Sequence, residues 1–91
     1  MGHVDREMFE AFMAFGRASI AFSSVTRSEI RCQPAGNAID LGVELRSAHS
    51  RLRALFADGH DDDVCVLAPQ VIELANRLAD ALGKDHGPDS I

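Results

Sequence analysis

The side chains best equipped for chemistry fall in two places along the chain. Arg46, His49 and Arg53 stand at i, i+3 and i+7, which puts two guanidinium groups and an imidazole on one face of a helix. Such a row can hold a phosphate, a carboxylate ligand or an acidic partner helix through charge-assisted hydrogen bonds. It can equally sit at the edge of a core, with the arginine stems on apolar surface and their heads in water. Further on, Asp58, His60, Asp61, Asp62, Asp63 and Cys65 offer carboxylate, imidazole and thiol groups. Their spacing lacks the ligand pattern and terminal Glu of an EF-hand, and also the paired Cys or His of a zinc site. Acids in that position favour the positive end of the helix that follows, so neither a metal nor a cofactor is expected.

Catalysis finds no better footing. No nucleophile motif pairs Cys32 or Cys65 with a base. The run His49-Ser50-Arg51-Leu52-Arg53 lacks the Gly that follows the phosphorylated His of histidine-phosphotransfer domains. The last two helical segments bear a vague similarity to the small sporulation-type aspartyl-phosphate phosphatases. Of that family's Ser-Gln-x-Leu-Asp, however, the stretch Pro69-Gln70-Val71-Ile72-Glu73 matches outright only at Gln70. The sequence identifies no family, and an enzyme is not expected.

The elements that must position these groups read as three helices. The second, about 38–57, carries the cleanest repeat: Leu41, Leu45, Ala48, Leu52 and Leu55 alternate spacings of four and three, the seam of a coiled-coil-like pairing. Asn37 offers an N-cap after the breaker Gln33-Pro34-Ala35-Gly36, and Gly59 a C-terminal stop. The third helix, about 66–82, places Leu67, Val71, Leu74, Ala75, Leu78 and Leu82 on one face. Pro69 is tolerated best in a first turn, which favours a start just before it. Gly83 ends the helix, and 84–91 reads as a flexible tail. The first helix, about 5–30, has Asp5 as its N-cap and weakens over Ser23-Ser24-Val25-Thr26.

Four of the five phenylalanines lie in that first helix. Phe9, Phe12, Met13, Phe15, Gly16, Ser19, Ile20 and Phe22 spread over about half its circumference at roughly 100° per residue. A surface helix needs a narrower apolar stripe. The expected architecture is therefore all-α: an antiparallel hairpin of the last two helices crossed by the Phe-rich one, with Gly16, Ser19 and Ser23 allowing close approach. A second copy then covers the remaining apolar flank in a dimeric helical bundle.

Composition narrows the function classes. The chain has 91 residues, 46% hydrophobic and 25% charged, with no Trp or Tyr and a net charge of -5, a globular single domain. The negative balance, and the lack of a basic recognition helix after a short turn, argue against nucleic acid. Charge is uneven, basic across 15–57 and acidic from 58 onward, which fits either complementary faces in an oligomer or solvated surface. Glu10 and Arg17 break the Phe-rich segment, so no membrane span is expected. Asp5, Glu7 and Glu10 interrupt any apolar leader, and a cytoplasmic location follows. Cys65 reads as a buried small hydrophobe and Cys32 as an exposed loop residue. The functional expectation is a non-enzymatic protein–protein interaction module, a small regulator or adaptor acting as a homo-oligomer or with another protein. The alternative is a ligand- or metal-binding protein using the Arg46/His49/Arg53 row or the loop 58–63.

Overall fold

The computed structural model describes residues 2–86, with side chains from Arg6 to Gly83. Three helices follow in order: α1 (Gly2–Cys32), α2 (Asn37–Ala57) and α3 (Asp61–His86). The described residues contain no strand, and no helix among them is long and apolar enough to cross a membrane. The helices lie alongside one another in a rod 56 × 21 × 16 Å.

The direction of packing corrects the expected crossing. Glu7 lies beside the residues from Gly59 to Asp63, and Ala14 and Arg17 share a groove with Ala68, Pro69 and Ile72. α1 therefore runs parallel to α3, with α2 antiparallel to both. α1 and α3 approach each other most extensively, α3 and α2 next, and α1 and α2 least. Small side chains explain the close α1–α3 pair. Ala11 and Ala18 are fully buried, Val25 nearly so, and these three stand seven residues apart on one face. Alanine lets two helix backbones come together. Gly16, Ser19 and Ser23, the expected point of close approach, do not serve it. Ser23 is exposed, and a Cβ built on Gly16 would meet nothing within 4 Å.

The leucine seams pack inward. Leu45, Leu52, Val64, Val71 and Leu78 are fully buried, and Ala48, Leu55, Leu67 and Leu74 pack partly buried against them.

The helix ends differ from expectation for identifiable reasons. α1 begins before Asp5, so Asp5 lies within it rather than capping it, and its weak stretch does not end it. Thr26 Oγ1 donates to the Ser23 carbonyl at 3.1 Å, and Ser28 Oγ to that of Ser24 at 3.5 Å. The hydroxyls thus bond within the helix, while burial of Val25 and Glu29 holds it from the inside. Gly36, not Asn37, takes the N-cap of α2, at φ 56° and without a side-chain cap. At the other end Gly59 (φ 79°) closes α2 as expected. The His60 N–H donates to the Leu55 carbonyl and the Gly59 N–H to that of Phe56, a Schellman turn.

That turn lets α3 start at Asp61, five residues early. Asp61, Asp62 and Asp63 form its first turn, where they favour the helix dipole, and fully buried Val64 anchors it. Pro69 consequently sits in the helix interior, not its first turn. It is exposed, as is Cys65, whose carbonyl it leaves without an i+4 donor. The helix passes Gly83 and reaches His86, so 84–86 belong to α3. Positions 87–91 of the expected tail lie outside the described residues.

Candidate functional site

The broad apolar surface of α1 divides into two faces with different surroundings. One turns toward α2. Phe15 and Phe56 stack with centroids 4.4 Å apart and planes 1° off parallel. Phe22 and His49 stack at 4.0 Å and 7°, Phe15 and His49 at 6.3 Å and 14°, and Phe12 meets Phe56 at 6.4 Å with planes tilted by 38°. Rings from the two helices alternate in a column that fills the space between backbones that do not otherwise touch closely. The register follows from sequence. Gly42, His49 and Phe56 are seven apart on α2, as are Phe15, Phe22 and Glu29 on α1, and each set returns to nearly the same helix face.

The expected basic row lies along this column. Arg46 donates to the Glu29 carboxylate, whose side chain is only 8% exposed while that of Arg46 is 53% exposed. Gly42 makes room for this pair, because a Cβ there would collide with the Glu29 carboxylate. His49 Nε2 lies 3.2 Å from Ser19 Oγ, and desolvation by burial and the nearby Arg53 charge hold its pKa below the ordinary 6.5. Ser19 and His49 have the reach of a nucleophile and base. Yet no described side chain other than Ser19 hydrogen-bonds the imidazole, a phenylalanine ring stacks on it, and its lowered basicity weakens it as a proton acceptor. This pairing spans thirty residues and leaves no local signal in the sequence.

The second face points away from the bundle. Phe9 is 61% exposed and Ile20 72%, with Met13 exposed beside them, while Phe12, 60% exposed, stands at the edge where this face meets the ring column. Of the eight α1 residues expected to form one interface, Phe9, Phe12, Met13 and Ile20 stand in solvent and Gly16 is partly open. Phe15, Ser19 and Phe22 are half-buried toward α2. Arg17 and Glu10 flank the exposed stripe, both bordering a groove with Phe9, Met13 and Ala14, and Arg17 also borders the groove with Ala68, Pro69 and Ile72 of α3.

Nothing matches this chain: no family model, no curated protein and no solved structure. Glu7, His60, Asp61, Asp62 and Asp63 border one open depression, but no three His, Cys, Asp or Glu side chains among the described residues converge as metal ligands. The cysteines exchange their expected settings. Cys65 is exposed on α3 and Cys32 half-buried at the end of α1, both as free thiols. Desolvation pushes the Cys65 thiol up, with Glu10, Asp62 and Asp61 adding to it, so its reactive thiolate is scarce.

Proposed function

We propose that the protein is a non-enzymatic helical interaction module that works as a homodimer, with the outward face of α1 as its docking surface. The carrying observation is the stripe of Phe9, Met13 and Ile20, left in solvent by a fold that buries its leucine seams. Contiguous apolar surface of this kind on a soluble domain marks an interface. Ligand binding through the basic row has less behind it, since Glu29 engages Arg46 and the ring column engages His49.

The test is the mass in solution. Sedimentation equilibrium at tens to hundreds of micromolar should give twice the chain mass for the wild type. The Phe9→Glu, Ile20→Glu double variant should give the single-chain mass with unchanged helical circular dichroism. A wild-type chain that stays single throughout that range overturns the reading.

A further inference from the structure

From the order of residues along the exposed stripe we infer that the occupant is a second copy lying antiparallel. The Phe9 side chain would pack on the partner's Ile20, Met13 would fill the space over the partner's Gly16, and Glu10 would pair with the partner's Arg17. This rests on the dimer reading above and goes beyond it by fixing direction and register.

The stripe has the spacing of a helix–helix seam. Phe9, Met13, Gly16 and Ile20 follow one another at four, three and four residues, the alternation that keeps side chains facing a partner helix. It is polar at both ends: three residues before Phe9 stands Arg6, and three after Ile20 stands Ser23, each exposed. The polar ends are thus equidistant from a midpoint between Ala14 and Phe15. A stripe symmetric about its own midpoint is fully covered by an identical stripe turned end over end.

Size complementarity selects the same arrangement. Gly16 is the one gap in the seam, with nothing beyond its adjacent residues and the local helix backbone within 4 Å of where a Cβ would stand. Antiparallel pairing brings the long, adaptable Met13 side chain over that gap, twice by symmetry. Parallel pairing instead sets Gly16 against Gly16 and leaves a hole, which close-packed interfaces avoid.

Charge supplies an independent argument. Glu10 and Arg17 are both exposed, one residue beyond Phe9 and Gly16 on the same edge of the stripe. Around a two-fold axis perpendicular to antiparallel helices, like edges face each other. Glu10 then meets the partner's Arg17, and Arg17 the partner's Glu10. In a parallel pair the position facing Arg17 across the seam is Phe12, and no ion pair forms. Arg17 has no ion-pair partner among the described residues, and Glu10 has only the exposed Arg6 at 3.7 Å, so both are free to serve at the rim.

Cross-linking reads the direction directly. In a Cys32→Ser, Cys65→Ser background, chains carrying Phe9→Cys should form disulfide-linked pairs when mixed with chains carrying Ile20→Cys, and few when alone. Glu10→Arg and Arg17→Glu should each weaken dimerisation at least fivefold, while an equimolar mixture of the two should regain nearly the wild-type affinity. All four positions are exposed, and circular dichroism checks that the variants stay folded. Phe9→Cys chains linking chiefly to one another, or charge-reversed chains that fail to recover on mixing, would overturn the register while leaving the dimer intact. A wild-type chain that remains single would overturn both.

Discussion

Glu29 is the one buried charged residue among those described, and Arg46 is what makes its burial tolerable. Removing one partner of such a pair leaves an uncompensated charge, whereas replacing both by apolar groups is often neutral. Arg46 is half in solvent, which moderates the effect. We expect Arg46→Met to destabilise the fold by about 1–3 kcal/mol in urea denaturation at pH 7. Adding Glu29→Met should restore most of that loss. A double variant weaker than Arg46→Met alone would mean the pair contributes more than its own neutralisation. His49 gives a prediction of opposite chemistry. Its folded pKa lies below the unfolded 6.5, by desolvation first and Arg53 second. Above 6.5 the imidazole is neutral in both states and folding is not penalised. As pH falls from 6.5 through the folded pKa, the unfolded chain takes up the proton first and stability is lost. A wild-type chain should therefore lose more stability between pH 7.5 and 5.5 than His49→Phe, which keeps the stack and does not titrate. Stacking on Phe22 works against this shift, because an aromatic face attracts a cation. A histidine pKa above 6.5 by NMR titration would show that the ring face prevails.

At the scale of the helices, Pro69 is where sequence and structure disagree most usefully. A proline in a helix interior costs about 3 kcal/mol relative to alanine, and that rule argues for a later start to α3. Two features outweigh it. The Schellman turn at Gly59 lets the chain re-enter a helix at Asp61. Val64 and Ala68 then extend the buried seam of Val71, Ala75, Leu78 and Leu82 upstream at the same spacing of four and three. Since Pro69 is exposed and its lost hydrogen bond falls on the exposed Cys65, the substitution Pro69→Ala should stabilise the protein by about 1–3 kcal/mol, read as a higher urea midpoint. A lower midpoint would mean that α1 packs against a bend that only proline supplies. The leucine seams of α2 and α3 were legible because their spacing is strict and their residues large. The alanine face of α1 was not, because Ala11 and Ala18 carry little hydrophobic signal beside the phenylalanines, though small size is what lets α3 come close. The Phe-rich surface was legible as too wide for one neighbour. Its division into a ring column and an outward stripe depended on where α2 lies. The Glu29–Arg46 and Ser19–His49 contacts join residues 17 and 30 apart, and no local pattern announces them.

For the whole molecule, the rod form sets the terms. Three helices side by side over 56 Å have a thin core, and a chain of this length has little stability in reserve. Burying the α1 stripe against a second copy adds apolar contact where the single chain has none, so dimerisation and folding should be linked. A dimer that dissociates on unfolding gains stability with concentration by mass action. Above the dissociation constant, each tenfold rise in protein should lift the melting temperature by about 3–5 °C for a domain of this size. The Phe9→Glu, Ile20→Glu chain should instead melt at a temperature independent of concentration. It should also lie below the wild type at high concentration and close to it at low. The low-concentration comparison separates the two roles of the stripe, since both substitutions are at exposed positions and leave the single chain's packing intact. A wild-type melting temperature that does not move across a hundredfold range of concentration would place the stripe outside the folding equilibrium and remove the energetic argument for a self-association surface.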